Sequence, residues 1–373
     1  MKKKLYASVG LLLFLLLAGI KVASYHMERN VAEAAVYYSQ FPQDIQLTGE
    51  GFALEDELMR YPYRIRQQGE YLYVLDLHGS DYFCHLFRKD NLASVASFAQ
   101  RGNGPQEVLQ ALCMDVQSED SIWVYDTHKR EVTRWGYSTE HRKVSLQECV
   151  RIKDKMTHSS NFAWGGDSLL FFTDRSGKNR VLKCNARGEV VGRIGAIPTE
   201  KRVKENQKGT LAQAWNSFLS YNPQKQLLVA ATQLGDVIEI YNLKDTTSLV
   251  LRGPMGEPEY QTTSEGHAVP VGIMGYGDVQ ITDNYIYAVF HGRTFKEIAK
   301  DIEGTPDGGE YIHIYTHDGA PVCRLLLDHA VYGIHVNEEE GVIWATDVNT
   351  EEQIVKYRLP EMQKLQHLYF IKK

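Results

Sequence analysis

The sequence predicts an all-β fold: a six-bladed β-propeller of four-stranded antiparallel blades, preceded by an N-terminal signal or anchor segment. Three observations lead to this prediction. A strand-like run of an aliphatic residue, an aromatic residue, a small or aliphatic residue, any residue and Asp recurs six times, with some positions degenerate. Its copies begin about 48 to 58 residues apart. A second strand-like run, ending in an aromatic residue in five of six cases, follows each copy after polar turn residues. A fixed period of this length is typical of stacked or radially arranged units.

The two runs are expected to be neighbouring strands of each blade. We letter the strands of a blade A to D from the centre of the ring outwards, so the two runs are strands B and C. The B runs begin at Leu72, Ile122, Leu170, Leu228, Ile286 and Ile343, and the C runs begin at Cys84, Val132, Val181, Ile238, Ile312 and Ile354. Large aromatic rings suit the contact between two sheets. We therefore expect the recurring aromatic residues to fill the space between blades: Tyr73, Trp123, Phe171, Tyr287 and Trp344.

An Asp ends the B run in four of the six units, at Asp76, Asp126, Asp174 and Asp347. Asp at a strand end readily accepts hydrogen bonds from nearby backbone N–H groups and closes a turn, which is the interpretation that we favour. The alternative is a set of carboxylates that faces a ligand or cation at one mouth of the channel. Because two units lack the Asp, a complete ring of carboxylates cannot form.

The N-terminus has the features of an export signal. Lys2, Lys3 and Lys4 precede an apolar run over residues 5–20, which at about 16 residues is shorter than the roughly 20 that a spanning helix needs. Val22-Ala23-Ser24 offers small residues for cleavage, so a cleaved signal is favoured over an uncleaved anchor. The expected organisation is a signal or anchor at 1–24, a linker at 25–40 and the propeller at 41–373. Both alternatives place the propeller outside the cytoplasm, in the periplasm or cell envelope.

The charge and the scattered reactive residues exclude several classes of function. Without residues 1–24 the chain has 37 basic against 47 acidic side chains, a net charge near −10. An acidic exported body is a poor candidate for binding nucleic acid or an anionic membrane surface, so contact with a membrane is expected only through an anchor. No Cys-x-x-Cys pair occurs, and the five cysteines are expected to be mostly small buried residues, with one disulfide left open. We expect no cofactor and no metal site, although His267, His291 and His313 could converge.

One B–C connection is much longer than the others. The starts of the two runs lie about 26 residues apart in the fifth unit and about 10 to 12 apart elsewhere. Within this insertion, residues 291–310, Thr294 and Glu297 have the spacing of a capping box. They predict a short helix over residues 295–302, which Gly304 and Pro306 would end. This helix is interpreted as a lid or docking element, or as a tolerated surface insertion.

The connections from strand D to the next strand A are the second place where units differ. In a propeller these links emerge on the same face as the B–C loops. The first link contains Arg101, Asn103 and Glu107, and the fourth begins at Arg252; both are rich in Gly and Pro. Arg101 and Glu107 are expected to pair across the turn, or alternatively to face the channel mouth and hold a carboxylate or sugar. The third and fourth links are long, at about 195–214 and 252–276, which favours a binding site on that face.

The repeats, together with the link Arg101-Gly102-Asn103-Gly104-Pro105-Gln106-Glu107, resemble the exported bacterial six-bladed propellers known as TolB-like or NHL-like. The resemblance covers residues 41–373. Many members have another Gly where this chain has Gln106, and the fourth unit is degenerate at Val229 and Thr232. The resemblance implies an extracytoplasmic binding or scaffold role and supplies no catalytic residues.

The sequence favours a non-catalytic binding propeller, because no nucleophile elbow, zinc-binding His-Glu-x-x-His, phosphate loop or dinucleotide fingerprint occurs. The expected ligand is a glycan, a peptide or a partner protein of the envelope. A calcium-dependent propeller hydrolase or lactonase and a pure assembly scaffold remain as alternatives. The candidate binding residues are Arg101, Asn103, Glu107, Asp126, Asp174, Arg252, His291, Arg293 and Asp347. The ring is expected to close when either residues 44–47 or residues 365–371 complete the last blade.

Overall fold

The computed structural model describes residues 32–54, 59–153, 159–166 and 169–361. Strands are numbered in chain order. Three short strands precede the first repeat: β1 (Ala32–Tyr37), β2 (Asp44–Gln46) and β3 (Glu50–Phe52). Blade 1 comprises β4 (Pro62–Gln68), β5 (Tyr71–Asp76), β6 (Tyr82–Arg88) and β7 (Ser94–Gln100). Blade 2 comprises β8 (Ala111–Ser118), β9 (Ser121–Asp126), β10 (Glu131–Ser138) and β11 (Lys143–Arg151). Blade 3 comprises β12 (Phe162–Trp164), β13 (Leu169–Thr173), β14 (Val181–Asn185) and β15 (Val190–Ile194).

The second half of the ring repeats the pattern, with additions in the links. Blade 4 comprises β16 (Ser217–Asn222), β17 (Leu227–Thr232), β18 (Val237–Asn242) and β19 (Thr247–Arg252). A hairpin of β20 (Tyr260–Thr262) and β21 (Ala268–Pro270) follows in the link. Blade 5 comprises β22 (Tyr276–Ile281), β23 (Ile286–Phe290), β24 (Gly309–Tyr315) and β25 (Pro321–Val331). Blade 6 contains β26 (Ile334–Asn337), β27 (Val342–Thr346) and β28 (Ile354–Arg358). The helices are α1 (Lys208–Ala214) and α2 (Phe295–Lys300).

The predicted six-bladed propeller is confirmed. In each blade, the B run and the C run lie in neighbouring antiparallel strands of the same sheet. The B strands are buried along almost their whole length; β17, for example, is buried at all six positions. This burial follows from the architecture, because each blade lies between two others and both of its faces are covered. The recurring aromatic residues have the expected packing role: Tyr73, Phe171 and Tyr287 are fully buried, Trp344 is 2% exposed and Trp123 is 9% exposed.

Blade 6 is closed by the N-terminal part of the chain. Strand β3 pairs antiparallel with β28, with Phe52 opposite Ile354 and Glu50 opposite Lys356. Residues 44–46 do form a strand, as expected, but β2 pairs in parallel with β25 of blade 5. The prediction that residues 44–47 could close the ring is therefore corrected to residues 50–52, and residues 365–371 lie outside the described residues. Closure by a strand from the other end of the chain removes the open edge of blade 6.

The N-terminal stretch also covers the outer edge of blade 4. Strand β1 pairs in parallel with β19 over six residues, from Ala32 opposite Thr247 to Tyr37 opposite Arg252. Within the stretch expected to be a linker, residues 32–37 are thus a fifth strand of blade 4. Blades 4 and 5 both become five-stranded in this way, which leaves their outermost repeat strands paired and not exposed.

The ring has two distinct faces. The B–C loops and the links between blades lie on one face, here called the loop face, and the A–B and C–D turns lie on the other, here called the turn face. The insertion in blade 5 lies on the loop face beside the fourth link, because Met274 N donates to the Arg293 carbonyl at 2.9 Å and a Cβ at Gly292 would lie 3.8 Å from Sδ of Met255. The expected gathering of the irregular segments on one face is therefore present.

The third and fourth links pack on each other over blade 4. Thr210 of α1 donates a hydrogen bond to the Gly266 carbonyl at 2.6 Å, and Ala268 N donates to Oε1 of Gln213 at 3.2 Å. Trp215, which follows α1, is fully buried and packs with Val237 and Val250 of blade 4. The long links are thus an ordered layer of the loop face.

The predicted insertion helix is present and slightly shorter than expected. Helix α2 spans Phe295–Lys300, and Thr294 and Glu297 form the predicted capping box, with Oγ1 of Thr294 accepting from Glu297 N at 3.1 Å. The helix ends before Ile302, which is 73% exposed. The apolar side of the helix is formed by the half-buried Phe295 and Ile298.

The cysteines and histidines have ordinary structural environments. All five cysteines are free; four are buried as expected and Cys149 is exposed. Within residues 32–54, 59–153, 159–166 and 169–361, no three His, Cys, Asp or Glu side chains are grouped so as to hold a metal ion. No helix in the described portion of the chain is long and apolar enough to cross a bilayer.

Candidate functional site

A cavity of about 240 Å³ lies at the mouth of the central channel, on the loop face. It is lined by the entries to the innermost strands of blades 1, 4, 5 and 6 and by the B–C loops of blades 1, 4 and 5. The entry residues are Tyr61, Tyr63, Phe218, Met274, Gly275, Tyr276, Gly277 and Tyr332, and the loop residues are Leu77, His78, Gln233, His291, Gly308 and Gly309. Concave sites of this kind, with apolar walls and a few polar groups, are where small ligands commonly bind.

Three tyrosine rings form one wall of the cavity. The ring centroids of Tyr61 and Tyr63 are 6.5 Å apart, those of Tyr63 and Tyr332 are 5.2 Å apart, and those of Tyr61 and Tyr332 are 5.5 Å apart. Burial is the main reason why the pKa of Tyr61 lies above its ordinary value, and the hydrogen bond with Tyr332 adds to it. These hydroxyls therefore remain protonated at neutral pH and can donate hydrogen bonds.

The insertion in blade 5 builds another part of the wall and holds Tyr61 in place. Gly308 and Gly309 line the cavity, and the neighbouring Asp307 accepts a hydrogen bond from the Tyr61 hydroxyl at 3.2 Å. Asp307 N in turn donates to Oδ1 of Asn349, in the B–C loop of blade 6, at 2.8 Å. The insertion therefore joins blades 1, 5 and 6 at the cavity rim.

His291 supplies a neutral polar group in the wall. Its Nδ1 accepts from Arg293 N at 3.3 Å, which assigns the hydrogen of the neutral ring to Nε2. Burial, followed by the nearby Arg293 guanidinium, lowers the pKa of His291 to about 4. His291 is thus uncharged at neutral pH and presents an N–H donor.

Gln233 adds a second neutral polar group. Its Oε1 accepts from Nδ2 of Asn216 at 2.8 Å, which orients the side-chain amide. Among the described residues, the Nε2 of Gln233 has no hydrogen-bond partner, so it can donate to a ligand.

A buried ionic cluster lies behind the inner end of the cavity. Arg64 is 2% exposed, and its guanidinium carbon lies 3.8 Å from the centroid of the Tyr63 ring and 4.7 Å from that of Phe218. Its Nε is 3.6 Å from Oδ1 of Asp278, and Nη1 of Arg66 is 3.5 Å from Oδ2 of the same carboxylate. Arg64 also donates to the Gly277 carbonyl at 2.9 Å. The cluster therefore holds two guanidinium groups on one carboxylate, an excess of one positive charge, and neither guanidinium lines the cavity.

Of the nine candidate binding residues from the sequence, only His291 lines this cavity. Arg293 lies just outside it, where its guanidinium pairs with Glu310 and its backbone N–H orients His291. Arg293 therefore orients a cavity residue without lining the cavity itself.

The candidates in the first link are engaged in loop structure. Arg101 donates to the Leu77 carbonyl and lies 3.9 Å from the centroid of the Phe83 ring. Glu107 accepts from Gly104 N at 2.7 Å, and Asn103 is exposed. In the described residues Arg101 and Glu107 form no ion pair with each other, so the expected pairing across the turn is not seen.

Arg252 is used in a comparable way at the fourth link. It is 7% exposed, donates to the Pro198 carbonyl, and lies 3.5 Å from a carboxylate oxygen of Glu200 and 3.6 Å from one of Glu257. It thereby ties the third link to the fourth.

The Asp residues at the ends of the B strands match the interpretation as turn-closing residues. Asp76 accepts from Arg60 N, Tyr61 N and His78 N at 2.9, 2.8 and 3.0 Å. Asp126 accepts from Leu109 N, His128 N and Lys129 N, Asp174 accepts from Ser176 N, and Asp347 accepts from Asn349 N and from Nδ1 of His329. Asp76 thereby fixes the backbone of two cavity residues, Tyr61 and His78, without lining the cavity itself.

The sequence reasoning missed the tyrosines and Gln233. Tyr61, Tyr63, Tyr276 and Tyr332 lie at or just before the start of innermost strands, whereas only the B and C strands had been aligned. A usable signal exists in the sequence at two equivalent entries, because a tyrosine directly precedes Arg64 in blade 1 and Gly333 in blade 6.

The comparisons with known proteins agree on the fold. The family described as TolB-like 6-blade propeller-like matches residues 40–339. One similar crystal structure is that of a Bacteroides fragilis protein whose assigned name is that of an exported protein. It has 12% sequence identity and a TM-score of 0.56, and the match covers 89% of this chain and 100% of that chain.

Two further solved structures are also similar. A member of the DUF4221 family from Bacteroides vulgatus has 11% identity and a TM-score of 0.53, over 83% of this chain and 97% of that one. An auxiliary nutrient binding protein from Bacteroides ovatus has 10% identity and a TM-score of 0.50, over 80% of this chain and 69% of that one. No curated protein sequence matches the chain. At these identities the structural matches speak for the fold alone.

Proposed function

This chain belongs to the TolB-like six-bladed propeller family, and we propose that it is an extracytoplasmic, non-catalytic binding protein whose ligand enters the cavity at the channel mouth. The observation that carries the proposal is the cavity itself: an aromatic-walled recess of about 240 Å³ on the loop face, with the cluster of Arg64, Arg66 and Asp278 behind it. A rigid ring that collects loops around one recess is a common design for binding.

An extracytoplasmic location has two supports. The first is the sequence of residues 1–24, with three lysines before an apolar run. The second is the similarity in fold to the Bacteroides fragilis protein whose name proposes export. The acidic balance that remains after residues 1–24 argues against nucleic acid as a partner.

The calcium-dependent hydrolase is the weaker alternative. Such an enzyme needs several carboxylate or amide oxygens that meet at one point of the channel. Asp76, Asp126, Asp174 and Asp347, which the repeat places at equivalent positions, accept hydrogen bonds from backbone groups of their own loops and links. Most of their oxygens are therefore already used for turn closure, and Oδ2 of Asp174 is the exception, with no hydrogen-bond partner among the described residues.

The proposal is tested by filling the cavity. Gly277 lines it, and a Cβ at this position would meet only ordinary contacts, 3.7 Å from Val289 and 3.8 Å from the Tyr332 carbonyl. We expect Gly277→Val to fold and to reduce the space for a ligand. Thermal unfolding is measured with a panel of methyl glycosides, short peptides, free amino acids and phosphate esters. The expected result is that one class stabilises the wild-type protein and stabilises Gly277→Val much less.

Gly192→Val is the matched control. Gly192 also lies in a strand, and its Cβ would meet only Lys183, at 3.8 Å and beyond. Ligand-induced stabilisation of this variant should equal that of the wild type. If ligands stabilised Gly277→Val and Gly192→Val equally, the ligand would not bind in this cavity. Calcium-dependent hydrolysis of an ester or lactone would favour the enzyme over the binding protein. Stable capture of an envelope protein, without stabilisation by any small ligand, would favour the scaffold.

A further inference from the structure

We propose that the channel-mouth cavity binds one neutral pyranose ring, such as the terminal sugar of a glycan. This inference rests on the proposed binding function and specifies its ligand class. The size of the cavity is the first reason. At about 240 Å³ it is smaller than the roughly 300–1,000 Å³ typical of sites for drug-sized ligands, so it suits a single ring and not an extended chain.

The second reason is charge. None of the residues that line the cavity is Asp, Glu, Lys or Arg, and the low pKa of His291, about 4, keeps that side chain neutral. Behind the inner end, Asp278 is shared by the guanidinium groups of Arg64 and Arg66, so the cluster carries one excess positive charge. Neither guanidinium lines the cavity. A ligand ion would therefore contact no Asp, Glu, Lys or Arg side chain that could compensate for its desolvation, which disfavours phosphorylated ligands and zwitterions.

A cation held by the aromatic rings is also disfavoured, although aromatic cages often bind quaternary ammonium groups. The guanidinium of Arg64 already lies over the rings of Tyr63 and Phe218, at 3.8 Å and 4.7 Å from their centroids. A second cation at the same two rings would be repelled by Arg64. The rings are thus left with apolar contact and with weak contacts to C–H groups.

The arrangement of the three rings distinguishes a puckered ring from a flat one. The planes of Tyr61 and Tyr63 are inclined by 33°, those of Tyr63 and Tyr332 by 50°, and those of Tyr61 and Tyr332 by 53°. A flat heteroaromatic ligand stacks best in a slot with parallel walls, whereas inclined rings form a cup. A pyranose presents C–H groups on both of its faces and fits such a cup.

Hydroxyl groups around the sugar would find donors of the right kind. Nε2 of Gln233 has no partner among the described residues, and Nε2–H of His291 remains after Nδ1 has accepted from the backbone. Gly308 and Gly309 line the cavity with backbone, and a Cβ at either position would point at the backbone of Val331 or Phe290. Neutral donors beside apolar rings match the amphipathic surface of a sugar.

The test measures binding of a panel of neutral methyl pyranosides, together with tetramethylammonium, inorganic phosphate and uncharged capped dipeptides. Affinities are measured by ligand-observed NMR for the wild-type protein and for Tyr332→Ala. The matched control is Tyr71→Ala, since Tyr71 and Tyr137 form a similar pair of rings, 5.2 Å apart, on the turn face. We expect at least one pyranoside to bind, with about tenfold weaker binding to Tyr332→Ala and unchanged binding to Tyr71→Ala. Gly277→Val should also weaken binding, which covers the case that Tyr332→Ala does not fold.

Each other outcome overturns the inference in a distinguishable way. Cavity-dependent binding of tetramethylammonium, phosphate or a dipeptide, without a pyranoside, would reject the sugar and keep the binding function. Pyranoside binding that both cavity variants retain would reject this cavity as the sugar site. Absence of binding by every probe would reject the sugar and would also count against the proposed function.

Discussion

The buried carboxylate of Asp278 offers a sharp test of how the centre of the ring is stabilised. Asp278 is 3% exposed and is the shared anion of two guanidinium groups, with Nε of Arg64 at 3.6 Å and Nη1 of Arg66 at 3.5 Å. It also accepts from Ile334 N at 3.1 Å. Blades 1, 5 and 6 therefore meet at this one side chain. The change Asp278→Asn keeps the shape of the side chain and removes its charge.

We expect Asp278→Asn to lower the free energy of unfolding by about 3 kcal/mol. Removal of one partner from a buried ion pair typically costs about 3–5 kcal/mol, because the other charge remains buried without compensation. The lower end applies here for two reasons. Arg64 keeps its hydrogen bond to the Tyr63 carbonyl, at 2.8 Å, and the Asn oxygen can still accept from Ile334 N.

The assay is guanidinium-induced unfolding, followed by tryptophan fluorescence and circular dichroism. Coincident transitions with unchanged slopes allow the shift in midpoint to be converted to free energy. The control is Asp90→Asn, which breaks an ion pair with Arg88 of 3.0 Å whose side chains are 54% and 44% exposed. Exposed pairs contribute little, so no measurable change is expected. Equal midpoints for the two variants would refute the inference that the buried cluster stabilises the ring.

Two further predictions concern blade 4 and ring closure. Burial raises the pKa of Asp236 above its ordinary 3.8, so the folded state holds this proton more tightly than the unfolded state, and stability falls as pH rises through the folded pKa. Asp236→Asn should therefore gain thermal stability relative to the wild type as pH rises from acidic to neutral, and a pH-independent difference between the two melting temperatures would contradict this. A chain that starts at residue 54 lacks β3 and should melt lower and self-associate in size-exclusion chromatography, because β28 loses its edge partner. A chain that starts at residue 48 keeps β3 and is the control; equal melting temperatures would argue against closure by β3.

The repeat-bearing strands could be predicted because their signal is local. Each B run is apolar and buried between neighbouring blades, so a short window of sequence carries the whole pattern. The capping box of Thr294 and Glu297 was predictable for the same reason, since a helix N-terminus is specified within four residues. The closing strand gives no comparable signal: Glu50-Gly51-Phe52 is three residues long, and its pairing with β28 is a contact between the two ends of the chain.

The sequence was enough to predict on which face of the ring the candidate site lies, but not which residues line it, apart from His291. The gathering of the irregular segments on the loop face was predictable because every B–C loop and every link in a propeller emerges there. The choice of Arg101 and Arg252 rested on charged residues in loops, yet both guanidinium groups are used to hold backbone carbonyls of neighbouring loops. The cavity instead takes its wall from tyrosines at the entries of innermost strands. Which entries come together depends on the diameter of the ring and on the Arg64–Asp278 cluster behind the cavity, and both depend on contacts far apart in sequence.

The position at which the chain enters the ring shows on which face the N-terminal segment lies relative to the loop face. Strand β1 runs parallel to β19, and Ala32 lies opposite Thr247, at the beginning of β19. Strand D of a blade begins on the turn face, so residue 32 also lies on the turn face, while the cavity opens on the loop face. The residues expected to act as signal or anchor therefore join the propeller on the side away from the cavity. With either a cleaved signal or an uncleaved anchor, the described chain enters blade 4 at residue 32 from the face opposite the cavity. Either alternative is compatible with a ligand that approaches from the space outside the membrane.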